Sequence, residues 1–389
     1  MDRIYMDHIA GTPLLAEALE AMLPFYKEKF GNPSSIHGFG EEAETAMSEA
    51  REKVSSLIGA LPEEILFTSC GTESNNFAFK GVTKALRSKG NHIVTTPVEH
   101  FSIMHTIKAL EKAGFEVTQV PVDNTGTVDP QEVADAITDG TILVSVQHAN
   151  PEVGTVQPLA DIGALCKEEG VVFHTDAVDS TGNIPVDVNK LNVDLLSLAG
   201  NMFYGPKGAA ALYVRKGTRI QPLLDGGIQE RGKRAGTENV PAIVGMGVAA
   251  EEAAKSMEER SGHLNQLGKK LMSGLSDRIE NLHVFGHPEN RLPGHVSVGV
   301  EFVEGESILL FMDMQGVAVA SGSACISRSL KVSHVMLAMG IDHATAQGSV
   351  LFSLGKDNTE AEVDKVFEVL PPIVQRLRDM SPLYKKKTT

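Results

Sequence analysis

The chain has 389 residues, 42% hydrophobic and 22% charged, with 37 glycines and no tryptophan: ordinary soluble composition, and enough apolar material for one domain of roughly 250 residues plus a smaller one. A formal net charge of −15 speaks against a nucleic-acid or membrane-surface role, because phosphate binding draws on lysine and arginine. No apolar run approaches the roughly 18 residues that span a bilayer, and the opening MDRIYMDHIAG lacks the basic and apolar regions of a signal peptide, so a cytoplasmic location is expected.

From residue 65 to 215 short β-rich runs alternate with helical patterns: ILFTS at 65–69, HIVTTP at 92–97, FEVTQVPV at 115–122, TILVSVQ at 141–147, VVFHTDAV at 171–178, LLSLAG at 195–200 and AAALYVR at 209–215. The alternation predicts a doubly wound α/β sheet, largely parallel and buried on both faces, with segments 73–89, 101–113 and 158–169 as crossover helices. Ligands of such sheets bind at the carboxyl ends of the strands, which singles out Gly71-Thr72, His100, Asn150, Asp176 and Asn201-Met202. A long helical stretch near 240–280 then leads into strands HVSVGVEFV, GVAVAS and SVLFSL and a final helix, the pattern of an α+β unit. The expected division is a large domain over 14–260 and a small one over 261–389 together with 1–13. Lys385-Lys386-Lys387 reads as a solvated tail.

Cys70-Gly71-Thr72-Glu73-Ser74-Asn75 follows a strand and opens a helix, so its backbone N–H groups and the Thr72 hydroxyl could hold a phosphate at the positive helix end. An ordinary strand–helix turn with a threonine cap is the alternative. No GxGxxG follows a strand, which argues against a dinucleotide site. Asp176 ends a buried apolar strand, where a carboxylate needs a partner; a protonated pyridine nitrogen fits, and so does a capped turn. His100 could stack on an aromatic ring or shuttle protons, or be a satisfied structural histidine. Cys70, Cys166 and Cys325 are too widely spaced for a CxxC pair, and their odd number argues against a disulfide framework. Cys325 lies in a run of small residues, 320–327, that packs nothing and reads as an exposed loop thiol able to act as nucleophile or sulfur carrier; Cys70 and Cys166 read as turn or core residues.

These segments, with Met6-Asp7…Thr12-Pro13, the run 30–35, His148-Ala149-Asn150, His174-Thr175-Asp176-Ala177, Tyr204-Gly205-Pro206-Lys207-Gly208, Arg234-Ala235-Gly236-Thr237, Glu304-Gly305-Glu306-Ser307, Ser321-Gly322-Ser323-Ala324-Cys325 and the closing run 377–383, resemble the class V aminotransferase-like cysteine desulfurases over nearly the whole chain. The resemblance implies the type I fold of pyridoxal phosphate (PLP) proteins, with a mostly parallel seven-stranded sheet in a large domain and a smaller α+β domain that carries the Cys325 loop. It implies PLP as cofactor, with Gly71 and Thr72 at the phosphate, Thr237 joining them from the other subunit of a homodimer, His100 stacked on the ring, Asn150 near the phenolic oxygen, Asp179 near the ring and Asp176 on the ring nitrogen. L-cysteine is the implied substrate and an iron–sulfur scaffold protein the implied partner. Cys325 would carry persulfide sulfur or, alternatively, ligate a shared iron–sulfur cluster.

The departures from that family fall on the chemistry. Met202 stands at the position of the Schiff-base lysine and Asn201 at that of the preceding histidine; a thioether cannot form a Schiff base. Ala199 replaces a serine, Asp179 a glutamine and Cys70 a glycine, and Pro151 interrupts an Asn-Asn pair. Leu351 takes the place of the arginine that grips the substrate carboxylate, a loss of roughly 1.5–3 kcal/mol. Lys207 belongs to the family's own Gly-Pro-Lys-Gly turn and should point elsewhere. Three readings are open: a desulfurase-like sulfur donor with weakened or altered PLP chemistry, a non-catalytic dimeric platform for an iron–sulfur scaffold, and a PLP-dependent lyase acting on another substrate. The family leans toward an enzyme; Met202 and Leu351 lean away.

Overall fold

The computed structural model describes residues 3–322, 332–382 and 384, so Cys325 and Lys385-Lys386-Lys387 lie outside the described residues. The chain opens with β1 (Ile4–Tyr5), α1 (Ala16–Met22), α2 (Pro24–Lys27) and α3 (Gly38–Leu57). An alternating body comes next: β2 (Ile65–Thr68), α4 (Gly71–Leu86), β3 (His92–Thr95), α5 (Phe101–Lys112), β4 (Glu116–Gln119), α6 (Pro130–Asp135), β5 (Thr141–Ser145), α7 (Leu159–Glu169), β6 (Val172–Asp176), β7 (Leu195–Ala199) and β8 (Ala210–Val214). After α8 (Gln229–Gly232) and the long α9 (Val240–Arg278) come β9 (Leu282–Phe285), β10 (His295–Val300), α10 (Gly305–Met314) and β11 (Val317–Ala318). The chain closes with α11 (His334–Ala338), α12 (His343–Gln347), β12 (Ser349–Ser353) and α13 (Glu360–Met380).

The body forms one seven-stranded sheet in the order β2-β8-β7-β6-β5-β3-β4. All of its pairings are parallel except those of β8, which runs antiparallel to both β2 and β7. Strands β5 and β7 are buried at every residue, as a sheet covered on both faces requires, whereas the edge strand β4 is largely exposed. Side chains alternate between the two faces: Leu196 and Tyr213 join the core that includes α3, α7 and the first half of α9, while Leu195 and Leu212 join the core under α4 and α5.

Helix α9 spans two cores. Ile243, Met246, Ala250 and Ala253 pack into the first, and Leu264, Leu267, Leu271 and Leu275 into a second one formed with β10, β12 and α13. Its first half lies close against α3, and a Cβ on Gly247 would come 2.7 Å from Ala50 Cα, so no larger residue fits that crossing. The second core is built on an antiparallel sheet ordered β12-β10-β9. The GVAVAS run touches that sheet only through an Ala320–Leu351 bridge to β12; its Val317–Ala318 pairs in parallel with β1. Among the described residues no helix is long and apolar enough to cross a membrane.

Candidate functional site

A cavity of about 540 Å³ opens at the carboxyl ends of the parallel strands, a volume within the roughly 300–1,000 Å³ of small-molecule sites. Gly71, Thr72, His100, Asn150, Asp176, Asp179, Met202 and Leu351 all line it. Thr237 does not; it is exposed in the loop before α9 of its own chain. Among the described residues no group of three or more His, Cys, Asp and Glu side chains is arranged to hold a metal ion.

The turn from β2 into α4 is set by close packing. A Cβ on Gly71 would sit 2.6 Å from Val178 Cγ2, so only glycine lets the helix start this near the loop after β6. Cys70 is the N-cap residue, exposed, and its side chain makes no capping bond, which leaves the first N–H groups of α4 open toward the cavity. Glu73 pins the turn from outside: it accepts from Ser69 N–H at 2.9 Å and pairs with Arg234 at 2.8 Å, tying the 234–237 loop to this helix end.

From α4 a polar chain runs across the cavity floor. Asn75 Nδ2 donates to Asp176 Oδ2 at 2.6 Å and to Ser102 Oγ at 2.9 Å, and Ser102 Oγ lies 2.8 Å from His100 Nδ1. His100 caps α5, its Nδ1 accepting the Ser102 N–H at 3.1 Å, which leaves Nε2 to carry the proton of the neutral ring. Asn150 is committed to its own turn: Nδ2 donates to Val98 O at 3.0 Å, and Oδ1 accepts from Glu152 and Val153 N–H at 2.8 and 3.0 Å.

The electrostatics are dominated by buried acids. Burial raises the Asp176 carboxyl, opposed by His100, the Val178 N–H and Asn75. Asp179 is raised well above the usual carboxylate range by burial and then by Asp176. Glu99, fully buried, is pushed up to about 8 although it accepts from Gln147 N–H and Thr96 Oγ1. Burial likewise takes Glu152, which accepts a hydrogen bond from Ser333, to about 7 and Asp7 to about 6. Sequence reasoning assigns no roles to Glu99, Glu152 or Asp7. The available signal is their adjacency: one precedes His100, another lies two residues past Asn150, and Asp7 belongs to the Met6-Asp7 motif.

Residues 200–209 connect β7 to its antiparallel neighbour β8, and that reversal presents Asn201 and Met202 to the cavity. Met202 is 5% exposed and packs with Ala199, Ala210, Ile9 and Val178, while Asn201 Nδ2 lies 3.3 Å from its sulfur. Thr12 fixes the reversal, donating to Asn201 O at 3.0 Å and accepting from Tyr204 N–H at 2.8 Å. Leu351 sits on β12, bonded through its backbone to Ala320 at 2.8 and 3.0 Å, and closes the far wall. Lys207 is exposed and outside the cavity, and among the described residues no lysine or arginine lines it.

PLP, as implied by the sequence resemblance, fits these residues through its non-covalent contacts. Among the described residues the buried Asp176 carboxylate has no basic partner except His100, and the neighbouring Asn75 Oδ1 is buried without any partner; a protonated ring nitrogen would supply the missing donor. The covalent contact does not fit, because the cavity lining offers no amine among the described residues.

The family model for class-V aminotransferases matches residues 4–366. A cysteine desulfurase IscS of Methanosarcina thermophila is 51% identical over 384 residues, covering 99% of this chain and 95% of that protein. The cysteine desulfurase NifS of Azotobacter vinelandii is 44% identical over 385 residues, 99% of this chain and 96% of that protein. Among solved structures, a NifS-like protein superposes with a TM-score of 0.91 at 40% identity, covering 96% of this chain and all of that one. With half of its residues shared with such relatives from end to end, the chain belongs to the class-V aminotransferase family, in the PLP-dependent, type I-fold branch that holds the cysteine desulfurases.

Proposed function

We propose that the protein is a cysteine desulfurase-like sulfur donor for iron–sulfur cluster assembly, in which PLP is held without a covalent bond and Cys325 is the thiol that receives sulfur and hands it on. The observation that carries this reading is the coexistence in one cavity of Gly71-Thr72, His100 and Asp176 with a buried methionine at 202. Relatives named cysteine desulfurase over the full length support the sulfur chemistry.

Bound, the cofactor supplies an electron sink for bonds at the carbon that bears the substrate amine. The chain's own residues do the rest. The open N–H groups at the start of α4 and the Thr72 hydroxyl take the phosphate. Asp176 accepts from the ring nitrogen, its position fixed by Asn75. His100 covers the ring face, held by Ser102. Asn150 shapes the turn beside the phenolic oxygen. Leu351 turns an apolar wall toward the place where a carboxylate would be gripped, which weakens the hold on L-cysteine roughly 10- to 100-fold.

A homodimer belongs to the same reading. Phe30 and Phe39 stack 5.7 Å apart yet stay 68% and 54% exposed, and Ile36 and Ile228 are also fully or largely exposed, apolar side chains of the kind an interface covers. A second copy would cover it and bring Thr237 to the phosphate of its partner. The replacement of both cations, at 202 and 351, favours a second reading: a non-catalytic platform that docks an iron–sulfur scaffold and offers Cys325 as relay or cluster ligand.

Cys325→Ser tests the sulfur role common to both. Dimerisation and scaffold binding should be unchanged in gel filtration, while transfer of labelled sulfur and cluster assembly on the scaffold should be lost, since a hydroxyl is neither a persulfide carrier nor a soft ligand. Transfer and assembly at the wild-type rate would rule the sulfur role out.

A further inference from the structure

Several buried acceptors in the cavity wall have no donor among the described residues. Among the described residues, four of its buried atoms have no partner: Asp7 Oδ1, Asn75 Oδ1, Glu99 Oε2 and His334 Nδ1. Three of them are acceptors, and the fourth, Glu99 Oε2, is the free oxygen of a carboxyl that burial raises to about 8 and so carries its proton. Asn75 uses its amide nitrogen on Asp176 and Ser102, and His334 Nε2 meets the Glu99 carbonyl oxygen at 2.9 Å, so that nitrogen donates and Nδ1 keeps its lone pair. Asn75 and Glu99 are 1% and 0% exposed, so water does not reach these atoms in the ordinary way.

Charge points in the same direction. Asp7, Glu99, Glu152, Asp176 and Asp179 line the cavity, facing among the described residues only the imidazoles of His100 and His334. The Asp179 carboxylate receives no hydrogen bond among the described residues, although its backbone is well placed: Asn183 Nδ2 donates both to Asp179 O at 3.0 Å and to Met202 O at 3.3 Å. Asp179 and Met202 are thus held as neighbours on one side of the cavity.

The two phosphorylated forms of the cofactor share phosphate, ring nitrogen and phenolic oxygen and differ at the 4′ substituent. The aldehyde brings one more acceptor, and here it finds no lysine. The amine brings a cation with three donors. We infer that this cavity takes the amine form, pyridoxamine 5′-phosphate, in preference to the aldehyde, with Asp179 as the carboxylate that receives its ammonium beside Met202. The inference rests on the non-covalent cofactor reading above and narrows it to one form. The free amine suits the cavity better than an amino-acid adduct, whose carboxylate would meet the apolar wall at Leu351.

Isothermal titration of the ligand-free dimer with pyridoxamine 5′-phosphate, pyridoxal 5′-phosphate and pyridoxine 5′-phosphate tests this through heat alone. The pyridoxine compound carries a neutral hydroxyl where the amine stands. The amine should bind roughly tenfold or more tighter than either of the others, the scale of one charge-assisted hydrogen bond. Asp179→Asn should bring the amine-to-hydroxyl ratio close to one and leave the pyridoxine affinity within about threefold. Equal binding of all three, or a ratio untouched by Asp179→Asn, overturns the inference and leaves the pocket reading standing. Binding of none overturns both. Should the variant not fold, the ratio in the wild-type protein decides.

Discussion

Glu99→Gln keeps the shape of the side chain and its acceptor toward Thr96 Oγ1 (2.8 Å) and Gln147 N–H (3.0 Å), but removes a proton that the folded protein holds unusually tightly. Burial lifts this carboxyl from 4.5 to about 8. A raised acid favours the folded state below the unfolded value, and that contribution is lost as pH rises from 4.5 through 8. Between pH 5 and pH 8 the loss integrates to about 3 kcal/mol, because each pH unit in this window costs up to about 1.4 kcal/mol. Glutamine does not titrate. The stability of the variant relative to wild type, from urea unfolding at fixed ionic strength, should therefore climb by about 3 kcal/mol over that window, starting near or slightly below zero at pH 5 because the new amide adds donors that lack partners. Parallel stability curves for the two proteins would refute a protonated, buried Glu99.

Met202→Lys restores an amine to an otherwise assembled pocket and should yield a coloured protein with measurable sulfide release from cysteine, still limited by Leu351; a variant that binds no PLP would mean that Thr72, His100 and Asp176 do not form a cofactor site. Gly71→Ala drives a Cβ to 2.6 Å from Val178 Cγ2 and should cost about 1–3 kcal/mol in thermal unfolding, most of it recovered with Val178→Ala. An unchanged melting temperature in Gly71→Ala would show that the turn relaxes freely.

Much of this architecture is legible in the sequence because the sheet is buried on both faces. Runs such as TILVS and LLSLA are apolar throughout and bounded by turns, and all seven strands of the body are anticipated within a few residues. The direction of β8 is not, since alternation alone suggests parallel crossovers. The connection over 200–209 is at the short limit for a helical crossover, and that length is the signal. Strand β9, LHVF, escapes notice because a short, half-exposed edge strand carries no strong pattern. The GVAVAS run has strand composition, but nothing local says that its partner is β1, near the opposite end of the chain.

At the site, the positions at strand ends can be located by the rule for open α/β sheets, whereas the depth of each side chain cannot. Glu99, Glu152 and Asp7 are ordinary surface residue types, and only the packing of α5, the turn after Asn150 and the N-terminal segment makes them buried acids. The Arg51–Glu230 pair, which also receives Phe67 N–H and so fixes the segment before α9 against β2, joins residues too far apart in sequence for any motif to reveal.

In the proposed function, cofactor sits in this cavity with no covalent tie to the chain. Borohydride reduction of protein saturated with PLP, followed by intact-mass and peptide mass spectrometry, addresses it most directly. The chain mass should be unchanged and no lysine-aldimine absorption band should appear in the wild-type protein, with Met202→Lys gaining one stoichiometric pyridoxyl adduct at residue 202. A stoichiometric adduct on Lys207 in the wild-type protein would contradict it.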